Sequence, residues 1–137
     1  MSSPRSSTRS GAGRALVAVY GVFALAATAR SLVQLLTRAA EAPLAYSLSA
    51  VAGLVYVAAT LGLAEVGPSP RRLARAAVGF ELVGVLTVGT LTVLDPELFP
   101  DQTVWSAYGA GYGWLPLALP FVGLAWLWHT RPRPPLG

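Results

Sequence analysis

Residues 44–64 read LAYSLSAVAGLVYVAATLGLA, and no charged side chain interrupts them. As an α-helix rising about 1.5 Å per residue, this stretch reaches roughly 31 Å. The hydrocarbon core of a bilayer is about 30 Å thick, so the stretch is long enough to cross it. Three further apolar stretches predict spans at about residues 15–36, 76–94 and 104–128. The expected fold is therefore all-α, a four-helix transmembrane bundle.

The composition of the whole chain favours the same class of protein. Of its 137 residues, 54% are hydrophobic and 12% are charged, whereas soluble domains carry about 25% charged residues. The net charge of +4 comes from arginines that lie between the apolar stretches, so the lipid bilayer is the expected partner and nucleic acid is not. The absence of cysteine excludes disulfides, thiolate metal sites and dithiol redox chemistry.

The chain divides into a membrane domain and two tails. Residues 1–13 are rich in Ser, Gly and Arg and predict a disordered basic N-terminal tail. Residues 14–130 form the predicted four-helix transmembrane domain, and residues 131–137 a Pro/Arg-rich C-terminal tail. The first span follows a basic segment, as a signal peptide does, but it exceeds the usual apolar core of about 7–15 residues. We therefore expect it to be retained.

The fourth span is the least regular. Its purely apolar core, residues 114–128, is too short to cross the bilayer comfortably. We expect the helix to begin earlier and to include the glycine-rich stretch SAYGAGYG. Pro116 and Pro120 each remove a helix hydrogen bond, which predicts a kink there. The alternative is a short interfacial helix at about 103–110, followed by a break at 111–113.

Charge distribution predicts how the bundle is oriented. Eight of the ten basic residues fall on one side of a four-span arrangement: Arg5, Arg9, Arg14, Arg71, Arg72, Arg75, Arg131 and Arg133. Because cytoplasmic loops are enriched in Lys and Arg, both termini are expected in the cytoplasm. The other side has Arg38 and Glu41 in its first loop and only acidic residues in its second. Aromatic residues mark the two boundaries, with Trp126 and Trp128 on the inner one.

Three polar residues within the spans are candidate functional residues: Arg30, Gln34 and Glu81. A charge in hydrocarbon needs a partner or a route to water. Arg30 and Glu81 lie at depths of roughly 22 Å and 8 Å from the cytoplasmic ends of their spans, so no direct ion pair is expected. Each side chain could snorkel to its nearer interface, serve transport or a ligand, or pair structurally. In the structural version, Glu81 pairs with Arg14 or Arg75, and Arg30 anchors the acidic outer loop.

Residues 94–120, LDPELFPDQTVWSAYGAGYGWLPLALP, are the most distinctive stretch of the chain. Its candidate site residues are Asp95, Glu97, Asp101, Trp105, Tyr108, Tyr112 and Trp114. The three carboxylates could bind a divalent cation, but their spacing matches no calcium loop, so a solvated acidic loop is favoured. The aromatic side chains could dock a lipid, a quinone or a partner helix. Together with Phe99, they are expected to act as interfacial anchors at the outer boundary.

Small residues recur at spacings that allow close helix packing, at Gly79, Gly84 and Gly89, and as a GxxxG at Gly109 and Gly113. They serve contacts inside the bundle or an interface between copies of the chain. His129 is the one histidine, so neither bis-histidine haem ligation nor a two-histidine metal pair is available. No catalytic motif is present. We therefore expect neither enzyme activity nor a cofactor or metal.

Three stretches resemble a family of small integral membrane proteins from actinobacteria with no established activity. They are VYGVFALAATARSLVQL (19–35), EAPLAYSLSAVAGLVYVAATLGLA (41–64) and FELVGVLTVGTLTVLDPELFPDQTVWSAYGAGYGWLPLALPFVGLAWL (80–127). The resemblance implies a four-helix membrane fold and no particular site residue. The chain also has the size of small multidrug transporters, but these carry their essential glutamate in the first helix. Here the first span has Arg30, and the intramembrane acid, Glu81, lies in the third.

These observations lead to one principal hypothesis and two alternatives. The principal hypothesis is a non-enzymatic membrane protein, a structural, accessory or partner-binding subunit of the cell envelope. It would act as a homo-oligomer or with another membrane protein. The alternatives are a small oligomeric transporter or channel, and a lipid- or quinone-binding membrane protein.

Overall fold

The computed structural model describes residues 11–131, and within that range every regular element is helical. The elements are α1 (Gly11–Arg38), α2 (Pro43–Leu63), α3 (Pro70–Leu94), two 3₁₀ segments (Pro96–Leu98 and Ser106–Tyr112) and α4 (Leu115–His129). The predicted disorder of residues 1–10 and the tail at 132–137 lie outside this range. Residues 11–13, which we expected in the disordered tail, belong to α1.

Three of the helices, α1, α2 and α3, are long and apolar enough to cross a membrane. The second 3₁₀ segment and α4 qualify as a fourth span only when taken together, and they are bent by 98° at their junction. With 15 residues, α4 reaches only roughly 22 Å. The described residues therefore provide three candidate spans, or four if the bent pair counts as one.

The ends of the helices follow from local sequence. Both α2 and α3 have proline in the first turn, where its missing N–H costs little. Leu94 ends α3, because the next residue, Asp95, precedes Pro96 and is steered away from helical angles. The arginine-rich end of α3 begins at Pro70, before the predicted boundary at residue 76, since a helix continues past the hydrocarbon where its side chains are polar.

The prediction of one helix across residues 104–128 is wrong. Ala107, Tyr108 and Gly109 have φ of 48°, 60° and 83°, a left-handed conformation that no α-helix contains. A second left-handed break follows at Gly113 and Trp114. The break thus comes before the two prolines, and α4 runs as one element through Pro116 and Pro120. The alternative, a short segment followed by a break, describes this region better. We call residues 95–114 the outer segment.

Small residues bring the first three helices close together. A Cβ on Gly62 of α2 would lie 2.6 Å from the backbone nitrogen of Ala74 in α3, and one on Gly53 would lie 2.8 Å from Oγ1 of Thr28 in α1. Bulky apolar side chains cover the outside instead, including Leu25, Leu36, Leu54, Val83 and Leu94, each more than half exposed. So much exposed apolar surface is rare on soluble monomers and suits contact with lipid.

Candidate functional site

Glu81 lies fully buried in α3, with 0% of its surface exposed. The hydroxyl of Tyr20, on α1, donates a hydrogen bond of 2.6 Å to Oε1 of Glu81. The second oxygen, Oε2, has no hydrogen-bond partner within residues 11–131. Glu81 therefore neither snorkels to an interface nor pairs with Arg14 or Arg75, and both of those interpretations are wrong. Its partner is a tyrosine at the same depth, on the facing helix.

Tyr20 belongs to a chain of aromatic rings through the middle of the bundle. We call it the aromatic cluster; its members are Tyr20, Phe23, Tyr56, Trp105 and Tyr112. Tyr56 is central, with ring centroids 6.1 Å from Tyr20, 5.6 Å from Phe23 and 6.4 Å from Trp105. Tilted and edge-on pairs at such distances stabilise a core beyond their buried area. The cluster connects the Glu81 site to the outer segment.

Trp105 is the deepest part of the outer segment and is only 2% exposed. Its indole Nε1 donates a hydrogen bond of 3.0 Å to the hydroxyl of Tyr56. A Cβ on Gly84 of α3 would lie 2.6 Å from the indole ring. The expectation that Trp105 anchors the protein at the headgroup boundary is therefore wrong. Its apolar ring occupies a slot in the bundle, since its one polar group finds a partner there.

Tyr108 fixes the left-handed part of the outer segment on α3. Its ring packs so closely on Gly89 that a Cβ there would collide with it, and its hydroxyl shares a 2.8 Å hydrogen bond with Thr90. Next to it, the backbone N–H of Ala107 donates to Oγ1 of Thr92 at 2.8 Å. Left-handed angles at Ala107 and Tyr108 are costly for residues with a Cβ, so these contacts hold them in place.

The five glycines that were predicted to allow close helix packing do not contact other helices in that way. Gly84 and Gly89 receive aromatic rings, and Gly109 packs against Pro116. Gly79 and Gly113 have no atom within 4 Å of an added Cβ. The GxxxG at Gly109 and Gly113 does not form a helical packing face, because both residues are left-handed.

Arg30 lies exposed on α1 and donates a hydrogen bond to the hydroxyl of Tyr112. Tyr112 in turn packs edge-on against Phe23, with 5.9 Å between ring centroids. Within residues 11–131, no ion pair joins Arg30 to Asp95, Glu97 or Asp101. Arg30 therefore contacts the outer segment through an aromatic hydroxyl, and the predicted pairing with a carboxylate is wrong.

Of the three acidic residues of the outer segment, Asp101 is the one whose side chain is held by hydrogen bonds. Its carboxylate accepts hydrogen bonds from the backbone N–H of Gln102 at 2.8 Å and from the hydroxyl of Tyr46 at 3.0 Å. These bonds, in that order, lower the pKa of Asp101. Asp95 and Glu97 are exposed, and the described part of the chain brings no three acidic or histidine side chains together around a metal position.

Gln34 and Arg30 share an open groove of about 700 Å³ on the outer part of α1, together with Arg38 and Asp101. Gln34 is only 4% exposed, and its Oε1 has no hydrogen-bond partner among residues 11–131. Arg38 forms an ion pair of 3.5 Å with Glu41. Trp114 is about half exposed and directly precedes α4.

The sequence contained a signal for the Glu81 site that we did not use. Tyr20 and Glu81 each lie about five residues from the arginine-rich ends of their predicted spans, so both are roughly 8 Å deep. A difference in depth excludes Arg30 as a partner of Glu81. The same comparison selects Tyr20 once hydroxyl groups are considered as partners. No such signal indicates the burial of Trp105, since tryptophan is equally at home at an interface.

The chain matches no family model, no curated protein and no solved structure in the comparisons. The resemblance to small actinobacterial membrane proteins therefore stays a prediction. Function has to be inferred from the geometry.

Proposed function

We propose that this chain is a multi-pass plasma-membrane protein that crosses the bilayer four times, with both termini in the cytoplasm. The fourth crossing would consist of α4 together with the second 3₁₀ segment, Ser106–Tyr112. Two sets of contacts support this arrangement. Arg71, at the start of α3, bonds to Leu127 and Thr130 at the end of α4, so the arginine-rich ends are adjacent. At the opposite end, Tyr46 of α2 bonds to Asp101.

Labelling of single cysteines tests this topology, and the native chain contributes no background because it has no cysteine. Ser69 and Gln102 are exposed at opposite ends. A membrane-impermeant maleimide added to intact cells should label Gln102→Cys at once and Ser69→Cys only after permeabilisation. The reverse pattern would overturn the orientation, and labelling of both from outside would overturn the number of crossings.

The function that the geometry supports best is that of a non-enzymatic accessory or partner-binding subunit of the cell envelope. One observation carries this proposal: each of the first three helices makes at least one side-chain hydrogen bond to the outer segment. Arg30 of α1 bonds to Tyr112, Tyr56 of α2 accepts from Trp105, and Thr90 of α3 bonds to Tyr108. The outer segment is thus a preformed surface, and a preformed surface loses less entropy on binding a partner.

The polar groups of the interior support the same proposal. The carboxylate of Glu81 and the hydroxyls of Tyr20 and Tyr56 are buried and engaged with one another or with Trp105. A substrate therefore has no direct access to them in this conformation. On the outside, the outer segment and the start of α4 expose apolar side chains at Leu98, Trp114 and Leu115, which suit a partner helix at the membrane boundary.

Affinity purification of the full chain in mild detergent, followed by native mass spectrometry, tests the proposal. We expect a stoichiometric protein partner or a defined homo-oligomer. Tyr112→Phe, which removes the bond to Arg30, should reduce its recovery, whereas the matched control Phe121→Ala on exposed α4 should not. A monomer without any partner across several mild detergents would contradict the proposal.

A second candidate, a small oligomeric transporter, is favoured by the unpaired Oε2 of Glu81. A buried carboxyl oxygen without a partner is costly, and such intramembrane acids commonly mark ion or proton pathways. In proteoliposomes, Glu81→Gln should then abolish proton-coupled flux that the exposed control Glu97→Gln retains. Equal flux in both variants, or none in the wild type, would reject this function.

A further inference from the structure

A half-open cavity of about 600 Å³ lies at the arginine-rich end of the bundle, between the start of α3 and the end of α4. Its lining residues are Arg71, Arg75, Leu124, Leu127, Trp128 and Arg131. Two cations of α3 and one that follows the end of α4 therefore meet over an apolar floor. None of the functions considered above uses this cavity.

Two of the arginines are held in position by the protein. Arg71 donates to the backbone carbonyl of Leu127 and, at 3.2 Å, to Oγ1 of Thr130, so it also satisfies the last carbonyls of α4. The guanidinium of Arg131 lies 3.8 Å from the centroid of the Trp128 ring, and Nη1 donates to the carbonyl of Trp128 at 2.7 Å. Positions fixed in this way need little ordering when a ligand binds.

The third arginine, Arg75, lies one helical turn after Arg71 and is exposed. Its side chain makes no hydrogen bond or ion pair with any of residues 11–131, and its charge acts against that of Arg71. Among the described lining residues there is no carboxylate, although the charge of Glu65 reaches Arg71. The three converging like charges repel one another, and the described lining supplies no acidic side chain, so this site favours an anion.

We propose that the cavity binds the phosphate head group of an anionic phospholipid. Guanidinium groups bind phosphate through paired hydrogen bonds, and the lipid's acyl chain would lie along Leu124, Leu127 and the two-thirds exposed Trp128. The apolar floor favours a lipid over free phosphate, which has nothing to place there. Basic pockets between helices at a membrane boundary recognise such head groups. The inference does not depend on the proposed function or on the orientation.

Native mass spectrometry of the full chain in detergent, with phosphatidylglycerol titrated against phosphatidylcholine, tests the inference. The wild type should retain phosphatidylglycerol preferentially. Arg75→Gln should weaken this binding about fivefold, as expected for one arginine near an anionic head group. The matched control is Arg72→Gln, which makes the same charge change three residues earlier in α3, on a side chain that faces a different groove. It should change binding less than twofold.

Each other outcome overturns the proposal. Equal losses in the Arg75 and Arg72 variants would mean that only the overall surface charge attracts the lipid. Displacement of the lipid by millimolar inorganic phosphate, with equal binding of phosphate alone, would mean a phosphate site. If Arg75→Gln does not accumulate, Arg131→Gln provides the same measurement from the other side of the cavity, and unchanged binding there contradicts the inference.

Discussion

The backbone conformation of the three long helices and that of the outer segment have different causes, although the two regions pack against each other. In α1, α2 and α3 the backbone bonds are satisfied within each helix, so the elements depend mainly on hydropathy and length. The outer segment contains left-handed residues that are not glycine, and its backbone conformation depends on side chains from the helices. The conformation of the three helices is therefore determined within each helix, whereas the conformation of the outer segment is determined by its contacts with those helices.

The strongest test of this difference removes the side chain that fixes the outer segment. Trp105→Ala should cost about 3–5 kcal/mol, because it empties the slot beside Gly84 and leaves Tyr56 without its donor. Hydrogen exchange should rise through residues 95–114 while α1, α2 and α3 stay protected. The control is Trp114→Ala at a half-exposed position, which should change little. Uniform loss of protection in all four helices would refute the division into two regions.

The converse test disturbs the helices and leaves the outer segment untouched. Gly62→Val places a side chain where even a Cβ would lie 2.6 Å from the backbone of Ala74. Overpacking of this kind costs about 1–3 kcal/mol, and separation of α2 from α3 should lower the unfolding midpoint in a detergent titration. Gly79→Val is the matched control, since no atom lies within 4 Å of its added Cβ. Equal midpoints for the two variants would contradict the close packing of α2 and α3.

An effect of similar size is expected at the buried polar pair between α1 and α3. Tyr20→Phe removes the one hydrogen bond that Glu81 receives from residues 11–131, and an unsatisfied buried acceptor costs about 1–3 kcal/mol. In a double-mutant cycle, adding Glu81→Leu should recover part of this loss. Strictly additive losses in the detergent titration would mean that the two side chains do not interact.

The smallest effect concerns pH and the outer segment. The pKa of Asp101 is lowered by the bonds from Gln102 and Tyr46, so the folded state favours the carboxylate. Its contribution to stability is therefore present above about pH 4, the unfolded pKa, and is lost as the pH falls through the lower folded pKa. Tyr46→Phe should flatten this acid dependence of proteolysis at residues 95–114. An unchanged pH profile would exclude the bond as its source.

The sequence predicted most of the regular structure because hydropathy alone determines it. The span predicted at 44–64 is helix α2 at Pro43–Leu63, and α3 ends at the predicted Leu94. The fourth span could not be predicted in the same way. Its outer half is held by contacts from Thr92, Thr90 and Gly89, which are distant in sequence, and no local pattern encodes them.

The candidate residues show the same limit. Burial of Glu81 with a partner at equal depth was within reach of the sequence, but the identity of that partner was not recognised. Trp105 and Tyr112 were predicted to be interfacial anchors, whereas the structure places them in the aromatic cluster. Both environments fit their amphipathic rings. Tertiary contacts decide between these environments.

The buried indole of Trp105 also has a consequence for biogenesis. The ribosome makes α1, α2 and α3 before it reaches this residue, so on the proposed topology those helices enter the bilayer with the gap beside Gly84 unfilled by protein. The contacts of Trp105 with Gly84 and Tyr56 can therefore form only after the outer segment has been made, so they stabilise a bundle whose first three helices are already in place.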